Sequence, residues 1–293
     1  LDTNGSRQAR YRFALVRSFS LSAGSGHPAA AVGGRPKEQR LPNHADVAPL
    51  LADVDWELLN GPVAPYGDWA VENREEFALV GAARLGIVRE ACESGRYNAI
   101  VLLGGGEPGA PACREIARRY HLPVTSAAFS QMHVAAMLGN RFGVIDLAES
   151  HSMHYYDLVL QHRFADRCAG IRSIDFPHGR PPYGHDEGRD IHAEKQKALR
   201  GEHSDAVEKA TAAAVAAIEE DGADVIIFSC SGTFWLRPFV EKRLHEIGWE
   251  VPVLDGLSTS LALAKAMVDL GVDASGLVYP GDRPRRRRVR RTF

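Results

Sequence analysis

The stretch from Asp224 to Thr233 reads D-V-I-I-F-S-C-S-G-T. Val225, Ile226, Ile227 and Phe228 form an apolar run bounded by polar and small residues, which predicts a strand buried on both faces. Ser229, Cys230, Ser231 and Gly232 then lead into a helix-like segment that begins at Thr233. A thiol at the C-terminal end of such a strand sits where an open α/β sheet binds its ligands. The helix N-terminus beside it presents free N–H groups, which favour both a thiolate and an anionic substrate. The competing reading is a cysteine buried for packing, since free cysteines are among the most buried residues. Taken alone, the stretch leaves both readings open.

Outward from this turn, strand and helix patterns alternate along the chain. Short apolar runs predict strands at 12–16, 54–59, 99–103, 123–126, 142–147, 171–176, 225–228 and 251–254. Apolar residues recurring every third or fourth position predict helices at 72–93, 112–120, 130–138, 155–169, 236–247 and 258–270. A further long helix is predicted from 190 to 221, with a break near Gly201. Gly24 to Leu41 and Pro177 to Gly188 read as loops rich in Gly and Pro, the first of them a candidate lid. Such alternation implies mostly parallel sheets. The predicted architecture is α/β, with two similar lobes, each a roughly four-stranded, mainly parallel sheet flanked by helices. The active site is expected in the cleft between them. The first lobe is expected to take 1–138 plus 255–280 and the second 139–254. The tail at 281–293 carries seven arginines and reads as solvated and disordered.

Composition narrows the function classes. The 293 residues carry a net charge of −2, which argues against a dedicated nucleic-acid binder. No apolar run is long enough to span a bilayer, so no membrane role is expected. Cys92, Cys113, Cys168 and Cys230 are scattered without a C-x-x-C pair, which argues against a disulfide framework or a zinc site and makes a reducing cytoplasm the expected location. No metal or cofactor is expected. The twelve histidines form no H-E-x-x-H motif.

The second informative turn follows the strand at 99–103 and reads Gly104, Gly105, Gly106, Glu107, Pro108, Gly109. Three consecutive glycines after a strand allow the backbone to come close to a ligand. The spacing of Gly104, Gly106 and Gly109 mimics a dinucleotide fingerprint, but Pro108 lies inside it and no acidic partner follows at the right distance.

These two turns, with the segments N-A-I-V-L-L-G-G-G-E-P-G, P-V-T-S-A-A-F-S-Q-M-H-V-A-A-M-L-G-N and V-P-V-L-D-G-L, resemble the aspartate/glutamate/hydantoin racemase superfamily. The resemblance runs from Asn98 to Tyr279, and the first hundred residues match only loosely. It implies two pseudo-symmetric α/β lobes and cofactor-independent chemistry at a carbon next to a carboxylate. In the racemases one cysteine on each lobe faces the substrate α-carbon. The second falls on Cys230, while Gly104 stands where the first would be. The superfamily's arylmalonate decarboxylases share that Gly/Cys arrangement, but their hydroxyl-rich first turn is absent here, with Gly105 and Gly106 in its place.

Carbanion chemistry without a cofactor needs fixed donors for the developing negative charge. Backbone N–H groups after Gly104 and Cys230 are suited to this, and Ser231 and Thr233 hydroxyls could assist. The expected site is therefore Cys230 as acid/base, with Gly104, Gly105, Gly106, Ser231, Gly232, Thr233, Ser18 and Ser126 around the substrate. Ser130, Ser150, His151 and His154 also follow strands, and Asp146 reads as structural. Racemisation would require a second base, drawn from Glu107, a serine or a histidine. Three functions stay open: a racemase acting on an amino-acid or hydantoin-like substrate, a decarboxylase with Cys230 as sole proton donor, and a non-catalytic binding protein on the same fold. The expected partner is a small carboxylate-bearing substrate, with a homo-oligomer left open.

Overall fold

Parallel pairing of short apolar strands builds two sheets. We describe a computed structural model covering residues 9–25, 30, 35–180, 189–280 and 286. The arginine tail, apart from Arg286, and parts of both predicted loops therefore lie outside the described residues. The first half of the chain runs β1 (Tyr11–Val16), α1 (Lys37–Arg40), α2 (His44–Leu51), β2 (Val54–Leu59), α3 (Arg74–Glu93), β3 (Ala99–Leu102), α4 (Ala110–Arg118), β4 (Val124–Ser126) and α5 (Ala127–Leu138). The second half runs β5 (Phe142–Asp146), α6 (Glu149–Gln161), β6 (Cys168–Ser173), α7 (Ile191–Leu199), α8 (Asp205–Glu219), β7 (Val225–Phe228), α9 (Arg237–Glu246), β8 (Val253–Leu254) and α10 (Gly256–Leu270).

The sheets have the orders β2-β1-β3-β4 and β6-β5-β7-β8, and every neighbouring pair is parallel. The expected two four-stranded α/β lobes are present. Inner strands β3, β5 and β7 are buried along their whole length, as expected where helices cover both faces of a parallel sheet. Edge strand β2 alternates buried and more open positions, and edge strand β6 is only half-buried.

The helix that ends each half crosses to the other sheet. Ala128, Met132 and Ala135 of α5 join the apolar cluster of Phe142, Val144, Val225 and Ile227 on the second sheet. Gln131 fixes the crossing, since its side chain donates to Phe228 O at 2.8 Å and accepts from Phe228 N at 3.1 Å. In return α10 packs on the first sheet: Leu257, Leu261 and Ala264 share a cluster with Phe13, Leu15 and Val101. Thr125 Oγ1 donates to Ser260 O at 3.0 Å. This reciprocal exchange clamps the lobes at the strand ends that carry the site.

Several stretches depart from the sequence pattern. Helix α1 lies inside the loop predicted at 24–41, and α2 has no predicted counterpart. The helix predicted at 155–169 ends at Gln161, because Arg163 takes a left-handed φ of 63° and turns the chain. Strand β6 therefore begins at Cys168, three residues earlier than expected. Inside the predicted 190–221 helix, Gly201 at φ 73° separates α7 from α8, and Ser204 restarts the helix by accepting from Val207 N.

Candidate active site

Strand β7 delivers Cys230 to the junction of the two lobes. The ladder continues one residue past the strand, with Ser229 N donating to Ile145 O at 3.1 Å. The chain then tightens: Thr233 N and Thr233 Oγ1 both donate to Cys230 O, at 2.9 and 2.6 Å. Gly232 N donates to Cys230 Sγ at 3.4 Å, and His178 Nε2 lies 3.8 Å from the sulfur. Burial pushes the Cys230 thiol up to about 12, and the charge of Asp146 pushes in the same direction, against the smaller help of the Gly232 N–H. The residue is a thiol at neutral pH. The expected thiolate-favouring helix terminus is outweighed because only 7% of the residue is exposed.

Cys230 opens into a cavity of about 350 Å³ between the strand ends of both sheets. Ser18, Gly104, Gly105, Gly106, Ser231 and Gly232 also line it. The two turns are in backbone contact. A Cβ on Gly105 would lie 1.6 Å from Ser229 O and 2.8 Å from Cys230 Cα, so only glycine lets the β3 turn seat against the β7 turn. Gly104 has φ 100°, and a Cβ there would lie 2.8 Å from both Cβ and Oγ of Ser18. Apart from the glycine's own chain neighbours, the atoms of the described residues within 4 Å of that position belong to Ser18, whose hydroxyl fills the place a side chain at 104 would take. Cys92 and Cys113 are packed in the core beneath the first sheet and Cys168 lies on β6, so none of them lines the cavity.

Two of the predicted site residues point elsewhere. Thr233 is fully buried with its hydroxyl committed to Cys230 O, so it shapes the turn rather than the cavity wall. Ser126 is fully buried at the end of β4, where its Oγ accepts from Arg114 Nη2 at 3.1 Å. Glu107 is also withdrawn: it accepts from Phe129 N at 2.6 Å and pairs with His162 Nε2 at 2.8 Å, away from the cavity wall. Ser150 donates to Glu72, and His154 bonds to Gly106 O at 2.7 Å while stacking on Phe77. Ser130 is fully buried off the cavity.

His151 does line the cavity, on the first turn of α6, and is 2% exposed. Its Nδ1 lies 3.0 Å from Asp146 Oδ2. The same carboxylate accepts from Leu147 N at 2.6 Å and from the Ser229 hydroxyl, next to Cys230. Burial pulls the His151 pKa down, but the charge and hydrogen bond of Asp146 outweigh it, so the net shift is upward. Asp146 is structural in the sense read from the sequence, and what it supports is the site.

Sequence reasoning missed part of the wall. Arg17, Arg40, Asn43, His178, His192 and Lys195 all line the cavity. Arg17 follows β1 immediately beside Ser18, and His178 follows β6, so the strand-end rule that selected Ser18 reaches both. Arg40, Asn43 and Lys195 come from α1, the start of α2 and α7, and only the folded chain brings them together. Among the described residues, no group of three or more His, Cys, Asp or Glu is placed to hold a metal ion, and no helix is long and apolar enough to cross a membrane.

The two-lobed parallel α/β fold is shared with known structures. The fold matches allantoin racemase from Klebsiella pneumoniae with a TM-score of 0.66 at 22% identity, covering 94% of this chain and 95% of that one. It matches unliganded arylmalonate decarboxylase with a TM-score of 0.52 at 16% identity, over 88% and 92% of the two chains. In sequence, the chain is 29% identical over 180 residues to a hydantoin racemase of Pseudomonas sp. (strain NS671), which spans 61% of this chain and 62%, less than two thirds, of that protein. The profile of the Asp/Glu/Hydantoin racemase family matches residues 58–264. The chain belongs to that family.

Proposed function

We propose that the protein is a cofactor-independent racemase acting at a carbon next to a carbonyl or carboxylate, on an amino-acid or hydantoin-like substrate. The observation that carries this reading is that the Cys230 thiol and the His151 imidazole line one cavity, on a fold whose sequence relative is a hydantoin racemase. Cys230 is the proton-carrying group on one side of a planar carbanion. His151, held by Asp146, is the group with suitable chemistry for the second proton transfer. Negative charge building on the substrate oxygen is met by backbone N–H groups of the two turns and by the Ser231 hydroxyl.

A second reading is decarboxylation with Cys230 as sole proton donor. The observation favouring it is the Gly104–Ser18 contact, which leaves no thiol on the β3 side. One experiment separates the two. The protein is incubated in deuterated water with enantiopure 5-substituted hydantoins, amino acids and arylmalonates, while deuterium incorporation, optical rotation and carbon dioxide are followed. Racemisation with α-deuteration, reduced by about 10²-fold or more in Cys230→Ala, is the expected result. Carbon dioxide release with one-sided deuteration replaces the first reading by the second. No turnover in any class rejects both and leaves a binding protein.

A further inference from the structure

Glu107 is a fully buried carboxylate that the proton chemistry leaves unused. It sits in the glycine turn between Gly106 and Pro108, both of which line the cavity, yet its own side chain turns away. Its backbone takes a left-handed φ of 51°, a conformation that glycine adopts at less cost. The backbone therefore gives no reason for a glutamate here, and the reason lies in where the carboxylate goes. Its Oε1 accepts from Phe129 N at 2.6 Å and its Oε2 from His162 Nε2 at 2.8 Å. Phe129 is the third residue of α5, and its N–H is one that an N-cap side chain ordinarily receives. Ser126 holds the N-cap position but makes no such bond, its Oγ being taken by Arg114. Glu107 thus caps α5 from another part of the chain. His162 is the C-cap of α6, on the second lobe. An ionised carboxylate only accepts, so Nε2 carries the proton of that bond. Burial resists ionisation of Glu107, but the hydrogen bond and charge of His162, the Arg114 charge and the Phe129 N–H outweigh it, and the net shift of its pKa is downward. His154 Nε2 adds a second tie from α6, to Gly106 O at 2.7 Å. From the first lobe, Arg84 holds the Leu103 and Pro108 carbonyls at either end of the turn. Among the described residues nothing accepts from the N–H groups of Gly104, Gly105 or Gly106, so these donors are placed by the bonds of their neighbours.

We propose that Glu107 is a positioning residue: its bonds to α5 and α6 fix the glycine turn against the second lobe, and so set where the N–H groups of the turn stand relative to Cys230. The inference rests on the racemase reading for the use of those N–H groups, which meet the charge developing on the substrate oxygen. Such donors act through fixed geometry. A turn free to shift by about 1 Å therefore loses transition-state stabilisation before it loses substrate. Neither Glu107 nor His162 lines the cavity, so neither is a catalytic residue.

The test removes the hold from the side of the second lobe and leaves the turn's own sequence intact. In His162→Gln an amide N–H stands near the place of Nε2, so the bond to Glu107 is kept; in His162→Leu it is lost. Proton exchange at the α-carbon in deuterated water, on whichever enantiopure hydantoin or amino acid is turned over, gives kcat and KM. Hydrogen exchange followed by mass spectrometry compares the backbone amides of 103–113 with those of β7, which report overall stability. His162→Leu is expected to lower kcat by about 10²-fold while KM stays within about threefold of wild type. It is also expected to speed exchange at 103–113 by about tenfold or more beyond any change in β7. His162→Gln is expected to match wild type in both readouts, which a need for the imidazole itself would not allow. If His162→Leu does not fold, His162→Asn, whose amide falls short of the carboxylate, takes its place. An unchanged kcat in His162→Leu, an equal loss in the Gln and Leu variants, or turn amides that move no more than those of β7 overturns the proposal. Wild-type protein that exchanges no substrate removes the racemase reading, and the amide comparison then decides the role of Glu107 by itself.

Discussion

Gly105→Ala tests whether the contact between the two turns sets the geometry of the site. The added methyl would lie 1.6 Å from Ser229 O, 2.6 Å from Ser229 C and 2.8 Å from Cys230 Cα. All three neighbours are backbone, so no rotamer change can relieve the clash. Reaching an ordinary contact of 3.4 Å requires the β3 and β7 turns to separate by about 1.8 Å. Both turns are anchored: Ser229 N to Ile145 O, Leu103 N to Val16 O, and Glu107 N to Gly104 O. The strain is therefore expected to cost about 1–3 kcal/mol, a lowering of several degrees in unfolding temperature for a chain of this size. Catalysis should suffer more, since a displacement near 1 Å at a site can cost about 10²-fold. The control is Gly86→Ala on the exposed face of α3, where an added Cβ meets nothing within 4 Å and helix propensity predicts a gain of up to about 1 kcal/mol. Urea denaturation and α-proton exchange in deuterated water measure the two effects. Gly105→Ala with wild-type stability and exchange within threefold of wild type would refute the claim that backbone contact positions Cys230.

Four further outcomes are expected. With its pKa near 12, about 10⁻⁴ of Cys230 is thiolate at pH 8, so iodoacetamide should label it far more slowly than a free thiol, with the rate rising about tenfold per pH unit towards pH 11; rapid labelling at pH 7, located by peptide mass spectrometry, contradicts this. The same shift fixes a sign for stability. The unfolded thiol ionises near its ordinary value and the folded one much later, so above about pH 9 the unfolded state holds fewer protons and stability falls as pH rises. Asp146→Asn removes the charge that outweighs burial at His151, so the imidazolium is lost at lower pH and the limb of the pH–rate profile that depends on it moves down, with about 1–3 kcal/mol of stability lost from the network; an unmoved limb excludes His151 from the rate. Arg84 is fully buried and donates to Val16 O, to Leu103 O at 3.0 Å and to Pro108 O at 3.5 Å, tying together the ends of β1 and β3. Arg84→Met should lower the urea midpoint by an amount equivalent to about 1–3 kcal/mol and weaken exchange, because the Leu103 carbonyl beside Gly104 loses the Arg84 donor.

The order of strands and most helices were legible because parallel inner strands are apolar along their whole length. Val225–Phe228 and Ala99–Leu102 stand out for that reason. Helix α2 was not, since Pro49 lies inside it and it follows the left-handed Asn43, both of which read locally as loop. The candidate cavity was half legible. Cys230 and the glycine turn, which line it, were selected because a strand-end position is a local property. Ser126 was selected by the same rule but lies off the cavity, where its hydroxyl accepts from Arg114 of α4. Arg40 and Lys195 had no local signal, being brought together by tertiary packing from positions more than 150 residues apart.

A two-lobed frame of this kind offers the same position twice, at the ends of β3 and β7, and the two have been settled differently. At β7, Gly232 N–H and His178 surround a sulfur that is kept protonated. At β3, the left-handed backbone of Gly104 and the hydroxyl of Ser18 leave no room even for a Cβ. Placing a thiol there by Gly104→Cys alone would put a β-carbon in a disfavoured φ and 2.8 Å from Ser18, so the chain after β1 would have to change with it. A side chain at this turn is thus opposed from two strands rather than from one position. If proton transfer uses both faces of the substrate, the second group must approach from a neighbouring helix, and His151 at the start of α6 lines the cavity and is buried against its own carboxylate.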